Sequence, residues 1–220
     1  MNKLYLIFII ILFVIVYTQQ KYINTLPYTK TYEILQSNNP DKDTFEEILK
    51  EKKPAIFTNI LEGLNLVQYN LTDPKFDKNS LKDEFKEHFN FYLIPFTFKY
   101  NFSIKKHKKD TYTPIIRQNN YRFLLSQVTG IKKLLLFSPE QKKYLYPIHN
   151  KNESKINFWD DAEHKNYPLF KKGKYIEFII KHNQMVYIPY KWWYTTYNIT
   201  DNMSVTCSSE SIFSYFLKKN

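Results

Sequence analysis

The second half of this sequence predicts a mainly β protein, a sandwich or barrel. Three observations carry the prediction. From residue 111 onward, eight short β-prone runs recur: TYTPIIRQ, YRFLLSQV, IKKLLLFS, SKINFW, KYIEFII, QMVYIP, WWYTTYNI and MSVTCSS. The breaks between them, TG, SPEQ, KHN and TDN, have the chemistry of turns. Period-two alternation is visible where Arg122, Leu124 and Ser126 oppose Phe123, Leu125 and Gln127. Strands this short at this spacing suit sheets that close on one another rather than βαβ units.

Taken in order, the chain opens with an uninterrupted apolar run at residues 4–17, LYLIFIIILFVIVY. As a helix it would be about 21 Å long, and the uncharged Thr18, Gln19 and Gln20 would extend it toward a roughly 30 Å hydrocarbon core. The residues that follow have no small-residue cleavage pattern, so residues 1–20 are expected to be an uncleaved signal anchor, a single transmembrane helix. Residues 21–110 are expected to form helices and edge strands. DTFEEILKEKKP reads as a helix capped by Asp43 or Thr44, with Glu46 and Glu47 in its first turn and Pro54 as its stop. AIFTNI follows as a strand, SLKDEFKEHF as a second helix, and FYLIPFTFKYNF as an extended segment with Pro95 at an edge or bulge. Residues 111–220 are the expected β core.

Composition excludes several function classes. The 220 residues, 43% of them hydrophobic, suffice for one domain with a core. The three glycines, Gly63, Gly130 and Gly173, rule out a glycine-rich phosphate loop. The single cysteine, Cys207, rules out an internal disulfide framework and a cysteine-ligated zinc. The net charge of +11 invites a nucleic-acid reading. Only Arg117 and Arg122 are arginines, however, and readers of bases and phosphates depend on the guanidinium fork. Lys, Asn, Ile, Tyr and Phe are together what an AT-rich genome supplies, so nucleic acid is not the expected partner. Five N-x-S/T sequons, at Asn70, Asn101, Asn152, Asn198 and Asn202, are glycosylation candidates and favour a lumenal or external domain.

Several short pieces recur in a definite order: Q-V-x-G-x-K from Gln127 to Lys132, L-F-x-P ending at Pro139, L-Y-P ending at Pro147, P-x-F at residues 168–170 and I-P-x-x-W-W at residues 188–193. Together with the helix-proline-strand FEEILKEKKPAIFTNI, this order resembles the JmjC and cupin-like oxygenases, the branch that contains the protein asparaginyl hydroxylases. The resemblance covers roughly residues 111–208 and 45–60, and implies a double-stranded β-helix, or jelly roll. It also implies Fe(II) held by a His-x-Asp pair and a later His, with 2-oxoglutarate as cosubstrate. In the family the His-x-Asp pair starts ten residues before the Gln, which falls on Arg117 and Asn119, and the second His follows W-W, which falls on Tyr194. Arg has no lone pair to offer a metal, Asn is a weak neutral ligand, and Tyr binds only as phenolate. No His lies between residues 108 and 148 or after residue 182, so no nearby register restores the triad. Lys132 matches the lysine that pairs with the far carboxylate of the cosubstrate, and Thr206 stands where active relatives place an Asn. Arg117 would then set a fixed cation in the metal's place and hold a small anion together with Lys132; the plainer reading has it reaching into solvent.

Other groupings are weaker. Asp160, Asp161, Glu163 and His164 read as a solvated helix start, His107 as part of a solvated charge run, and His149 and His182 as turn residues. Ser208, Ser209 and Cys207 lack a partner pattern for a nucleophile. The expected protein is thus a membrane-anchored JmjC/cupin-like module without oxygenase activity and without a resident cofactor. It would bind a protein partner or a small anion at the barrel mouth. The alternative is an active Fe(II)/2-oxoglutarate protein hydroxylase with atypical ligands.

Overall fold

The computed structural model describes residues 3–24, 32–62, 87 and 97–211. Most of the expected helix SLKDEFKEHF, Pro95 and Asn70 lie outside the described residues. Ten strands are described: β1 (Leu35–Asn38), β2 (Ala55–Thr58), β3 (Thr97–His107), β4 (Ile116–Arg117), β5 (Arg122–Thr129), β6 (Lys132–Phe137), β7 (Ile176–Ile180), β8 (Gln184–Tyr187), β9 (Trp193–Asn198) and β10 (Asn202–Ser211). They form a large sheet in the order β1-β2-β8-β5-β10-β3 and a small sheet in the order β4-β9-β6-β7. From β3 onward the strands cross between sheets at nearly every step, staying within one sheet only from β6 to β7. That winding is a jelly roll. The large sheet also draws on residues upstream of 111, because β3 pairs with β10 over its length, Asn202 opposite His107 and Ser209 opposite Tyr100.

Apolar residues at alternate strand positions sort into three cores. Ile56, Phe123, Leu125, Leu134, Leu136, Ile176, Ile180 and Val186 fill the space between the sheets. On the outer face of the large sheet, Leu124, Val128, Met185, Tyr187, Met203 and Val205 pack on Phe45 and Leu49, which come from the helix α2 (Lys42–Lys50). On the outer face of the small sheet, Leu135, Phe137 and Trp193 pack on Ile115, Leu145, Ile156 and Phe170. The adjacent tryptophans therefore serve different layers, Trp192 the inner core and Trp193 the outer one.

Helix α2 starts two residues before the expected caps. Asp41 is the N-cap, and its carboxylate accepts from the Thr44 backbone N–H at 2.8 Å. The expected strand SKINFW is not one. Only isolated bridges remain at Glu153 and Ser154. Local side chains capture this segment's backbone: Ser154 Oγ accepts from Ile156 N at 2.9 Å and Asn157 Oδ1 from Trp159 N at 3.1 Å.

At the N-terminus a helix α1 spans Lys3–Asn24. The transmembrane expectation finds no support here: no helix among the described residues is long and apolar enough to cross a membrane. The side chains from Tyr5 to Ile15 are each at least 41% exposed.

Two glycosylation candidates are corrected. Asn198 and Asn202 are buried, at 1% and 5% exposure. The Asn198 amide nitrogen donates to Thr111 O and Thr111 Oγ1, and that of Asn202 to Asn198 Oδ1 and Thr200 O. A glycan on either nitrogen would break these bonds and has no room. Asn101 and Asn152 are exposed.

Candidate functional site in the barrel interior

The space between the sheets has an apolar half and a polar half. Along β10, Met203, Val205 and Cys207 face the outer core, so Ser204, Thr206, Ser208 and Glu210 form a polar row facing inward. Lys132 faces this row from β6, on the same side as Leu134 and Leu136. It is 2% exposed. Its ammonium donates to Ser204 Oγ at 2.9 Å. A hydroxyl offers a lone pair but no charge, so this buried cation is solvated by a dipole rather than neutralised.

The neighbours add to the imbalance. Burial, and then the nearby Lys105, pull the Lys132 pKa down to about 8. His107, at the end of β3, is half-buried rather than part of a solvated run. Burial, then Lys132 and Lys105, lower it to about 4, so it is neutral near pH 7. Its position next to a buried ammonium makes a second charge there costly. Ser204 and Lys105 escaped the sequence reading, which placed His107 in a solvated charge run. Their signal was the two-residue spacing from Thr206 to Ser204 on one strand face, and the pairing of that strand with β3. Thr206 itself is half-buried beside Ser204, and its hydroxyl reaches Ser103 O at 3.5 Å. Further along the row a small cavity of about 100 Å³ is lined by Lys99, Asn101, Asn120, Ser208 and Glu210.

The three positions that would hold the metal in the family do not converge. In the β4–β9 pair, Ile116 lies opposite Tyr194 and Arg117 opposite Trp193. Tyr194 faces the barrel interior, with its ring 5.7 Å from that of Phe123. Arg117 therefore faces outward, and its guanidinium lies 5.8 Å from the Trp193 ring. Asn119 follows it, accepting from Arg117 Nε at 3.2 Å. The expectation that Arg117 and Lys132 hold one anion together is corrected: the two side chains lie on opposite faces of the small sheet. The residues also fail chemically as an iron site. Arg117 has no lone pair, and burial raises the Tyr194 hydroxyl pKa, away from phenolate. Among the described residues no group of three or more His, Cys, Asp or Glu side chains could hold a metal ion. Asp161 and His164 approach to 3.5 Å on an exposed short helical turn. Cys207 is buried, and burial pushes its thiol up to about 12.

The jelly-roll winding, with a buried lysine at the head of β6 directly after the Gln127–Gly130 turn, has a counterpart among known proteins. A cupin-like domain matches residues 107–208. Residues 107–208 thus carry a cupin-like domain, and the chain is similar to JmjC proteins. This cupin-like chain is 25% identical over 85% of its length to JmjC domain-containing protein D of Dictyostelium discoideum, of which the match covers 40%. It is 38% identical over 32% of its length to human tRNA wybutosine-synthesizing protein 5, of which 22% is covered. It is also 27% identical over 44% of its length to lysine-specific demethylase JMJ30 of Arabidopsis thaliana, of which 23% is covered. The cupin-like chain thus spans well under half the length of these relatives.

Proposed function

We propose that this protein is a cupin-like binding module that anchors a small carboxylate inside the jelly roll on Lys132 and does not carry out oxygenase chemistry. The supporting observation is the buried ammonium of Lys132, whose hydrogen-bond partner is the neutral Ser204 hydroxyl. An incoming carboxylate would supply the missing countercharge and a second acceptor. The ligand whose charge matches this ammonium is a dicarboxylate of the 2-oxoglutarate type. Its other end would meet Thr206, Ser208 and the polar mouth rather than a metal, because Arg117, Asn119 and Tyr194 offer no ligand set. Attachment to a membrane through residues 4–17 belongs to the same proposal, supported by a helix apolar on every side. The second reading, an active Fe(II)/2-oxoglutarate hydroxylase, draws on the relatives' names and requires ligands from elsewhere in the chain.

The test is to titrate the detergent-solubilised full chain with 2-oxoglutarate by calorimetry, with and without Fe(II) under anaerobic conditions, and then to assay succinate after adding oxygen. The expected result is saturable binding that does not need iron, loses about tenfold or more in Lys132→Met, and weakens as pH rises through about 8, where the ammonium deprotonates. Lys132→Met should also raise stability by on the order of 1–3 kcal/mol, since an apolar isostere removes an uncompensated buried charge. Stoichiometric iron with succinate release would overturn the non-oxygenase reading. Iron-independent binding that Lys132→Met leaves intact would overturn the assignment of the anchor.

A further inference from the structure

A second cavity lies outside the barrel, on the opposite face of the small sheet from Lys132. It measures about 450 Å³ and is bounded by Arg117, Trp193 and the segment from Pro147 to Asn152. That size is typical of small-molecule sites. The wall is built from fixed backbone. Arg117 N donates to Asn152 O at 2.7 Å, Ile148 N to Glu153 O at 2.8 Å, Lys151 N to Ile148 O at 3.1 Å and Ser154 N to Ile115 O at 2.9 Å. Residues 147–154 thereby fold back on themselves and are stitched to the edge of β4. Asn150 takes a left-handed φ of 60° to make the turn.

The charges in this cavity are of one sign. Arg117, Lys142 and Lys151 line it together with His149, and no lining residue carries a carboxylate. The guanidinium is held in place by neutral amides, Nε on Asn119 Oδ1 at 3.2 Å and NH2 on Asn152 Oδ1 at 2.8 Å. Those two bonds use two of its five N–H donors. Pro147, Ile148 and Trp193 supply an apolar wall beside the cations. Trp193 is 1% exposed, and its indole N–H has no acceptor among the described residues.

The geometry points to a binding site for a small phosphate monoester. Its dianionic head would sit on Arg117 between Lys142 and Lys151, and its apolar body would lie on Pro147 and Ile148. Three cations around one locus suit a dianion better than a monocarboxylate, and a guanidinium already oriented by two amides presents a fixed fork to it. This site is separate from the barrel interior and does not depend on the function proposed for it.

The probe is phenyl phosphate, titrated into the full-length chain by calorimetry, with inorganic phosphate and benzoate as comparisons. Phenyl phosphate should bind saturably and more tightly than either comparison. Binding should weaken by about tenfold or more in Arg117→Gln and again in the double variant Lys142→Gln/Lys151→Gln. The double variant changes exposed side chains, so it reports on the site even if Arg117→Gln fails to fold. Lys132→Met should leave this binding unchanged. Absence of saturable binding, benzoate binding as tightly as phenyl phosphate, or equal affinity in the parent and the double variant would each overturn the assignment. Loss in Lys132→Met with no effect of the double variant would move the anion to the barrel interior and overturn it as well.

Discussion

At the scale of single residues, Gly130 shows why a short motif can identify a fold. It has φ of +72°, and a Cβ there would come within 2.3 Å of Asp201 O and 2.7 Å of Asn202 Cβ. The β5–β6 turn thus presses against the β9–β10 turn with no room for a side chain. Gly130→Ala is expected to destabilise the protein by more than about 2 kcal/mol, because left-handed strain adds to a backbone clash that no rotamer relieves. Urea unfolding of the two proteins would measure the difference, and equal midpoints would contradict it. The sequence motif singled out Lys132, two positions later, as the match to the lysine that pairs with the family's cosubstrate. Its partner Ser204 was not picked out, because the spacing from Thr206 places it on the inward face but does not say which residue of the opposite sheet it meets. The orientation of Arg117 was not legible either. It sits on a two-residue strand whose register depends on Trp193 and on the 147–154 segment, not on alternation within its own neighbourhood.

At the scale of elements, helix α2 is docked on the large sheet by one buried fork. Arg122 of β5 donates from NH1 and NH2 to the two Glu46 carboxylate oxygens at 2.9 and 2.8 Å, and its guanidinium lies 5.7 Å from the Phe45 ring. Arg122 is 5% exposed. Removing the carboxylate strands a buried cation, so Glu46→Ala should cost about 2–3 kcal/mol, at or below the low end for buried pairs because Glu46 keeps some contact with water. Thermal unfolding at low and high salt would check this, and a loss that salt abolishes would indicate an ordinary surface pair. The existence of this helix could be read from Phe45, Ile48 and Leu49 on one face and from Pro54 beyond its end. Its start was displaced because Asp41, Asp43 and Thr44 are all capping residue types, and only backbone geometry chooses among them. The run SKINFW looked like a strand by composition. Its Ser and Asn side chains bond their own backbone instead, and Phe158 and Trp159 go to aromatic contacts, with Trp159 Nε1 donating to Thr195 Oγ1 at 2.8 Å.

At the scale of the whole molecule, two sheets bury a cationic group between them, and the acid limb of stability should record it. His107 is lowered from 6.5 to about 4, by burial and then by Lys132 and Lys105. Between those values the unfolded chain binds a proton that the folded one does not, so stability rises with pH across that window and is lost as pH falls through it. Below about pH 4 both states carry the proton and this contribution is flat. His107→Gln should remove that part of the slope while leaving stability at neutral pH nearly unchanged; identical pH profiles for parent and variant would refute the argument. A sandwich or barrel was legible because turns and short runs repeat at a closed-sheet spacing, and the jelly roll was what the cupin-like resemblance implied. Which residues line its interior could be read only where alternation is clean, as in β5 and β10.

The pairing of β3 with β10 has a consequence for how the molecule comes into being. β10 is hydrogen-bonded on one side to β3 and on the other to β5, so β3 joins the large sheet only through residues 202–211, which follow every other strand described. Until they emerge from the ribosome, β3 and β5 present unpaired edges with nothing local to close them. Contacts of such long sequence separation delay folding, because the loop must be ordered before any pairing repays it. Assembly of this barrel therefore waits on residues 202–211, and a nascent chain stalled short of residue 202 would hold its sheets open.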